Sequence, residues 1–475
     1  MSEGAKQKAL RRISENEPRI IEVSDRIWEF AELGLQEFKS SALLVEELRK
    51  AGFKVEIGVA GMPTAFVATY GSGKPMIGIM GEYDALAGVS QKVVPRKEPL
   101  VEGAPGHGCG HNIHGTSGMA AAIATKVAME ATGIKGTVKF FGTPAEETAG
   151  GKVYMVRDGV FDGVDVVLSH HPGSMNTGGY SGNNAVNDAK FHFYGVSSHA
   201  AASPEEGRSA VDAVELMNIG VNYLREHIIQ EARIHYVVSS GGEQPNVVPA
   251  YACSWYYVRA PERDQVEQIY NRVLEIAKGA AIMTGTTFKV EFVGGLYNKI
   301  LNRTLNDLII SNMREIGPPE YTEEEKKFAK EISKTITAEA KRDWLRKSKR
   351  PDWEKLVDVE LDRTVPDTWD RWGAGSTDVS DVSWKGPAME LTTSTFILGS
   401  PGHSWQNAAQ SGMRIGHKSL IFAAKTMAAC SLDLLTNPDL LKKVKDEFAQ
   451  KLGGRVYKSP LSPEMKPPLD MWKKK

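Results

Sequence analysis

One short stretch of the chain, residues 106–112, places a cysteine and two histidines among glycines. The thiol of Cys109 and the imidazole of His111 are two residues apart, and the glycines leave the backbone free to turn both groups toward one point. Thiolate and imidazole together favour a borderline transition metal such as zinc. A lone cysteine is as often a small buried apolar residue, so this spacing alone indicates a metal site only weakly.

Two adjacent carboxylates, Glu146 and Glu147, strengthen the indication of a metal. They follow an apolar run at 137–141 that is typical of a buried strand. Carboxylates paired at the end of such a strand repel each other and lose hydration unless a cation compensates them. The alternative is a pair of exposed acids at the start of a helix. With a metal, one carboxylate could coordinate the ion while its neighbour acts as a general base.

Further candidate groups lie at the ends of two other apolar runs. His170 and His171 follow the run at 164–169, and Asp84 follows the run at 76–80. A single histidine in such a place is more often structural, but here the sequence offers a metal for one of the two to bind. Asp84 is either a turn acid or a carboxylate that orients a metal ligand from behind.

The elements that must position these groups alternate between strand and helix. This alternation indicates an α/β fold, in which ligands gather beyond the carboxyl ends of the strands. The turn-forming residues 71–74 predict that the first two strands pair as a hairpin. Helices are predicted through about residue 31 and over 40–50, 111–129 and 151–158, and strands over 64–70, 76–80, 137–141 and 164–169.

A different pattern occupies residues 187–296. Its strands and helices follow the order βαββαβ, which is that of a split-βαβ, ferredoxin-like module. Because α/β patterns resume beyond it, the module is predicted to be an insertion that divides a catalytic domain into residues 1–186 and 297–475. The strands are predicted at 190–194, 233–239, 250–259 and 288–292, and the helices at 207–227 and 262–284.

The segment 320–362 is strongly charged. Charge runs of this kind predict a solvated helical insertion. The alternative is a surface that covers the site or meets a partner.

The composition of the 475 residues excludes several classes of protein. Lys plus Arg number 58 and Asp plus Glu number 59, so neither nucleic acid nor an acidic membrane surface is an expected partner. Three widely spaced cysteines argue against a disulfide framework and for a reducing compartment. No apolar window long enough to span a bilayer is expected. This expectation and the cysteine content together predict a cytoplasmic protein.

Several motifs, taken jointly, resemble one enzyme family. They are Gly-Glu-Tyr-Asp-Ala-Leu at 81–86, His-Gly-Cys-Gly-His-Asn at 107–112, Pro-Ala-Glu-Glu at 144–147, Ser-His-His-Pro at 169–172 and Ser-Ser-His-Ala-Ala at 197–201. The combination resembles the M20 family of metallo-aminoacylases and carboxypeptidases, in its cysteine-containing branch. The resemblance implies a mixed-sheet, zinc-peptidase-like catalytic domain of the α/β class, an inserted ferredoxin-like dimerisation domain, and two divalent ions per chain, Mn²⁺ or Zn²⁺.

The resemblance also implies roles for individual residues. Glu146 matches the general base, and Asp84 matches the aspartate that supports the metals. His171 is preferred to His170 because it directly precedes proline. The implied metal ligands are Cys109 as a bridging thiolate, His111, Glu147, His171 and His403.

Three residues of the inserted module resemble substrate-contacting groups of the family. His199 matches a histidine that one subunit supplies to its partner's active site. Asn246 and Arg259 match a pair that holds the substrate, with a guanidinium suited to a carboxylate; the alternatives are a strand-end turn and a surface salt bridge. Glu82 departs from the family's peptidases, which place a ligand histidine there, and this departure fits the cysteine branch.

The implied reaction is hydrolysis of the amide bond of an N-acyl amino acid, with p-aminobenzoyl-glutamate as the substrate. The implied assembly is a homodimer, alone or with a paralogous A-type subunit. A dipeptidase or a general aminoacylase with the same metal site is the alternative enzyme. A non-catalytic binding subunit is a third reading, and the complete set of ligands together with Glu146 argues against it.

Overall fold

The computed structural model describes residues 4–373 and 375–473. Its strands are β1 (Lys54–Ile57), β2 (Phe66–Ser72), β3 (Met76–Gly81), β4 (Gly136–Gly142), β5 (Val166–Gly173), β6 (Ser181–Gly182), β7 (Ala185–Tyr194), β8 (Arg233–Ser240), β9 (Tyr251–Ala260), β10 (Thr287–Leu296), β11 (Arg371–Trp372) and β12 (Ala388–Ser394). Its α-helices are α1 (Ala5–Glu15), α2 (Glu17–Phe30), α3 (Phe38–Lys50), α4 (His111–Thr132), α5 (Gly151–Arg157), α6 (Ala210–Leu224), α7 (Arg263–Thr284), α8 (Arg303–Ile316), α9 (Glu323–Ser333), α10 (Ala338–Lys347), α11 (Val379–Val382), α12 (Trp405–Ser411), α13 (Arg414–Thr436) and α14 (Pro438–Leu452).

The central sheet is mixed, and its strand order is β1-β2-β4-β3-β5-β12. Strands β4, β3, β5 and β12 run parallel to one another, whereas β1 and β2 add an antiparallel edge. Helices α4 and α13 are buried along most of their length and belong to the main apolar core, to which strands of the sheet also contribute. Four parallel strands therefore present their carboxyl ends at the same edge, as the predicted α/β class requires.

The predicted hairpin of the first two long strands is wrong. Strand β4 lies between β2 and β3 and pairs with both. One glycine of the connecting turn serves a close approach to β4 instead: Gly71 has φ +81°, and a Cβ there would lie 2.2 Å from the carbonyl oxygen of Gly136. Turn chemistry therefore predicted the bend correctly, but it could not predict which strand fills the space between the two arms.

The opening helix also differs from its prediction, because it is two helices. α1 ends at Glu15, and α2 begins at Glu17 with Pro18 in its first turn. Proline is compatible with the first turn of a helix but not with its interior, because it lacks an amide proton and its ring clashes with the preceding turn. The chain therefore breaks at Asn16.

The second sheet has the order β10-β7-β9-β8, and all its pairings are antiparallel. With α6 and α7 between its strands in the chain, this unit has the predicted βαββαβ order. It contains an apolar cluster of its own, formed by the inner faces of α6, α7 and the strands. A separate core of this kind is what an inserted module needs to keep its own shape.

Helix α13 qualifies the expectation that no segment is apolar enough to span a membrane. By length and composition α13 would pass that test, but 83% of its apolar window is buried inside the protein. It packs against α4, α1 and α8. Its apolar character is therefore explained by its position in the core.

The charged segment is helical, as predicted, but it is more than a solvated surface. Arg350 is fully buried, and its guanidinium forms ion pairs with Asp352 and Asp362. Leu345 and Leu356 of the same segment belong to a small apolar cluster. Composition predicted exposure for the segment as a whole, whereas the pairing of particular charges allows part of it to be buried.

Replacing the buried guanidinium should destabilise the protein. Arg350→Met leaves Asp362 buried without its ion pair, and we expect the free energy of unfolding to fall by about 3–5 kcal/mol. Arg346→Met is the matched control, because Arg346 pairs with Asp343 at the surface. Urea unfolding of both variants measures the difference. Equal stability of the two variants would contradict a buried ion pair at Arg350.

Candidate metal centre

The structure brings all five predicted metal ligands together. Cys109 Sγ lies 3.4 Å from His171 Nε2, and His403 Nε2 lies 3.4 Å from Glu147 Oε2. Ligand atoms of Cys109, His111 and His171 lie within 4.8 Å of one another, and the same is true of Cys109, Glu147 and His403. The two groups share one thiol, which is the arrangement expected for two ions bridged by a thiolate.

The parallel strands explain this convergence. Strand β4 leads to Glu147, β5 carries His171 near its end, and His403 follows β12. Because β3, β4, β5 and β12 are parallel, the loops after them meet at one edge of the sheet. Asp84, which follows β3, lies at the same edge.

A single glycine conformation allows Cys109 and His111 to face the same point. Gly110, between them, has φ +83° and is the N-cap of α4, of which His111 is the first residue. A Cβ at Gly110 would lie 2.9 Å from Cβ of Pro172. The backbone therefore both adopts a left-handed conformation and passes close to the strand that carries His171, and glycine is the residue that permits both.

The turn that carries the paired glutamates is held by a buried acid. Ala145, directly before them, has φ +59°, and its amide donates to Glu37 Oε1 at 2.8 Å. Thr64 Oγ1 donates to the other oxygen of Glu37 at 2.9 Å. Burial raises the pKa of Glu37 to about 8. The left-handed residue is thus fixed by hydrogen bonds, and it directs Glu146 and Glu147 toward the site.

Asp84 orients two of the candidate ligands from behind. Its Oδ1 lies 2.8 Å from His111 Nδ1, and its Oδ2 accepts the backbone amide of Glu147 at 3.0 Å. With Nδ1 held by Asp84, His111 directs Nε2 into the site. His111 Nε2 and Glu147 Oε1 are buried and make no hydrogen bond within the described residues, and the nearest acid to His111 Nε2 is Glu82, at 3.1 Å. Buried orphan atoms of this kind are what a metal ion would satisfy.

The two adjacent histidines have different surroundings. His171 Nδ1 lies 2.8 Å from the carbonyl oxygen of Pro172, to which it can donate a hydrogen bond. The other ring nitrogen, Nε2, then faces Cys109. His170 is fully buried, and both of its ring nitrogens bond to hydroxyl groups, those of Ser117 and Thr393. Both ring nitrogens of His170 are therefore used in hydrogen bonds within the core, whereas His171 has a ring nitrogen available to a metal.

The electrostatics of the site favour a bound cation. Burial, together with repulsion from Cys109, raises the pKa of Glu147 to about 8. Burial also raises the pKa of Glu146 well above its usual range, with added repulsion from Glu82 and Glu147. The pKa of Cys109 is lowered, because His171 and His111 outweigh the opposing effect of burial. Divalent ions would relieve this repulsion between carboxylates and thiolate.

A layer of buried charge beneath the ligands was not predicted from the sequence. Lys152 of α5 is fully buried, with Nζ 2.6 Å from Glu82 and 2.7 Å from Asp378. Glu82, which stands where peptidases of the family place a ligand histidine, also lies 3.1 Å from His111 Nε2. The one sequence signal for such a layer was the clustering of histidines and acidic residues along this part of the chain. Nothing in the sequence singled out Lys152, because its partners come from distant parts of the chain.

The candidate substrate-contacting residues of the inserted module lie at different distances from the metal ligands. A cavity of about 360 Å³ lies over the metal ligands and is lined by Glu146 and Ser376, among others. Arg259 Nη1 donates to Ser376 Oγ at 2.9 Å, so its partner is a hydroxyl group and not an acid. None of the three candidates lines this cavity, and Arg259 reaches it only through Ser376; the other two are His199 and Asn246.

The chain matches the model of peptidase family M20/M25/M40 over residues 78–409. It is 41% identical over 467 residues to the B-type subunit of p-aminobenzoyl-glutamate hydrolase from Escherichia coli (strain K12), and the match covers 96% of this chain and 97% of that protein. The chain belongs to the M20 family. It is therefore a metal-dependent hydrolase of amide bonds, as its motifs implied.

The chain is also similar to proteins of lower sequence identity. Xaa-Arg dipeptidase of Mus musculus is 29% identical, over 94% of this chain and 93% of that protein. Among solved structures, an aminobenzoyl-glutamate utilization protein from Klebsiella pneumoniae has a TM-score of 0.58 at 17% identity, covering 90% of this chain and 98% of its own. A dinuclear metal-binding M20 peptidase from Bacillus subtilis has a TM-score of 0.53 at 17% identity, covering 87% and 98%. Both likenesses are of the overall fold, and each extends over most of this chain.

Metal content should distinguish the two adjacent histidines. His171→Asn removes a nitrogen that faces Cys109, and we expect the variant to bind fewer metal ions per chain than the wild type. His170→Asn, the matched control, changes a neighbour whose nitrogens bond to hydroxyl groups, and it should retain the wild-type metal content. Elemental analysis after gel filtration, with circular dichroism to verify folding, measures both. Equal metal loss in the two variants would refute the preference for His171.

Proposed function

We propose that this M20 protein is a dinuclear amidohydrolase that cleaves p-aminobenzoyl-glutamate to p-aminobenzoate and glutamate. The observation that carries the proposal is the pair of ligand groups that share the Cys109 thiol, next to the free carboxyl of Glu146. The substrate is supported by the 41% identity to the B-type subunit of p-aminobenzoyl-glutamate hydrolase over nearly the whole chain.

The ions would be held by the five ligands named above. When bound, they would supply the Lewis acidity that polarises the scissile carbonyl and makes a water molecule more acidic. Glu146 lies on the wall of the cavity, with a carboxylate oxygen within 4.8 Å of the ligand atom of His111. From there it can take the proton of the attacking water and return it to the leaving amine.

The metal is proposed to be Mn²⁺ or Zn²⁺. The soft thiolate of Cys109 favours zinc, because thiolate ligands select softer ions. The similarity to aminobenzoyl-glutamate enzymes favours manganese. Both loaded forms should therefore be assayed.

A second polypeptide is proposed to complete the site. His199 is positioned to donate a hydrogen bond outward: its Nδ1 accepts the amides of Ala201 and Ala202, each at 3.2 Å, so the ring proton lies on Nε2. Such a donor could stabilise the oxyanion in the site of a partner chain. Arg259, with Asn246, would hold the α-carboxylate of the substrate. The partner is a second copy of this chain or a paralogous A-type subunit.

A dipeptidase with the same metal site is the second candidate. It is supported by the 29% identity to an Xaa-Arg dipeptidase over 94% of this chain. A general aminoacylase is a further alternative. It would share the metal ligands with the proposed enzyme and would differ from it in the shape of the substrate cavity. A binding protein without activity is disfavoured by the presence of Glu146 beside a full ligand set.

Activity measurements should separate these candidates. We expect the manganese- or zinc-loaded protein to hydrolyse p-aminobenzoyl-glutamate with a higher kcat/KM than acetyl-amino acids or dipeptides. Glu146→Ala should retain its metal but lose turnover by roughly 10²- to 10⁴-fold, because it removes the proton carrier.

Glu130→Ala serves as the control for this variant, because Glu130 pairs with Lys126 at the surface. Normal activity of Glu146→Ala would refute its role as the general base. A protein that holds less than one ion per chain and cleaves none of the panel would be a binding protein instead.

Mixing two inactive variants should test the shared site. His199→Ala and Glu146→Ala are each expected to be inactive as homodimers. If His199 acts in the partner's site, a mixed dimer contains one site with both residues intact, and activity should return in part after the two variants are mixed under conditions that exchange the chains. Absence of recovery, when mixed dimers are demonstrated by native mass spectrometry, would contradict the contribution of His199 in trans.

A further inference from the structure

A second cavity adjoins the one over the metal ligands. Its volume is about 400 Å³. Five residues line both cavities, so the two adjoin: His171, Ser181, Arg371, Gly373 and Thr392. A substrate whose amide bond lies at the metal ligands would have the second cavity directly beside it.

The charged segment and strand β11 build the walls of the second cavity. Trp344 and Lys347 come from α10, and Arg371 and Trp372 form β11. The indole nitrogen of Trp372 donates to Asn184 Oδ1 at 3.0 Å, which fixes the orientation of the ring. Part of the charged segment therefore lines a cavity beside the candidate site.

The charge of the second cavity is positive and uncompensated. Arg371 and Lys347 are its two cations, and no acidic residue is among the described residues that line it. Neither cation forms an ion pair within residues 4–373 and 375–473. The guanidinium of Arg371 is 5.7 Å from the ring centre of Trp369. By contrast, Lys299, the other cation of the first cavity, is paired with Glu390 at 2.8 Å.

An unpaired guanidinium in this position is costly unless a ligand supplies the negative charge. Arg371 is half-buried, and burial lowers its pKa. A desolvated cation gains most from an anion that binds through charge-assisted hydrogen bonds. The indole rings of Trp344 and Trp372 add apolar surface to the walls, and Trp372 is 48% exposed. They could also contact an aryl group, but an apolar occupant would leave the charge of Arg371 uncompensated.

We propose that the second cavity binds the side-chain carboxylate of a dicarboxylic amino acid, with Arg371 as the residue that determines this specificity and Lys347 in support. The inference rests on the proposed amidohydrolase function. The two carboxylates of the substrate then bind at different residues, the α-carboxylate at Arg259 and the side-chain carboxylate at Arg371. Amides of glutamate are therefore preferred to amides of neutral or basic amino acids.

The test compares two substrates that differ only in the charge of the side chain, N-benzoyl-glutamate and N-benzoyl-glutamine. For the wild-type holoenzyme, kcat/KM should be roughly ten- to a hundredfold higher for the glutamate substrate. Arg371→Gln should bring this ratio close to one by reducing hydrolysis of the glutamate substrate alone. Arg371→Lys should restore part of the preference, and Lys347→Gln should lower it less than Arg371→Gln does.

Arg342→Gln is the matched control, because Arg342 is exposed on α10 and does not line the cavity. It should leave the ratio unchanged. A wild-type ratio near one would overturn the proposed specificity while leaving the amidohydrolase function intact, whereas failure to cleave either substrate would refute that function itself. An equal loss on both substrates in Arg371→Gln would also overturn the proposal. So would a ratio that changes when acetyl replaces benzoyl, because the cavity would then hold the acyl group.

Discussion

The rest of this structure depends on the repulsion among carboxylates buried at one edge of the central sheet. Glu82, Glu146 and Glu147 lie close together there, and burial deprives them of water. Beneath them the protein supplies a cation, Lys152, which lies between Glu82 and Asp378. Its single charge offsets one of these two carboxylate charges. The upper layer, which includes the thiol of Cys109, is left for metal ions to balance, and this requirement explains why the loops converge as they do.

The sequence predicted the metal ligands by three different signals. Glu147 and His171 lie at the carboxyl ends of predicted strands, and parallel strands bring those ends together in any order. Cys109 was indicated by its spacing to His111, and His403 was implied only by the resemblance to the family. The lower layer could not be predicted in this way, because the pairing of Lys152 with Asp378 depends on the contact between α5 and α11. The same reason explains the wrong hairpin: the turn at 71–74 determines a bend, whereas the position of β4 is determined by long-range pairing.

The choice between His170 and His171 illustrates a different limit. The sequence offered only the neighbouring proline as a guide. The structure adds the reason, since His170 uses both nitrogens in hydrogen bonds with Ser117 and Thr393. Likewise, composition described the segment 320–362 as charged, but it could not tell that Arg350 is buried against Asp362. Average polarity predicts solvation well, and it predicts individual ion pairs poorly.

The segment that follows the charged insertion connects the two proposed carboxylate sites. Arg371 faces both cavities, and Ser376, five positions later, accepts a hydrogen bond from Arg259 of the second unit. Ser376 in turn donates to the backbone of Asn184 at 2.7 Å. A shift of the second unit would therefore move Arg259 relative to Arg371. If the two guanidinium groups hold the two carboxylates of one substrate, their spacing selects the length of its side chain, and glutamate and aspartate differ in that length by one methylene group.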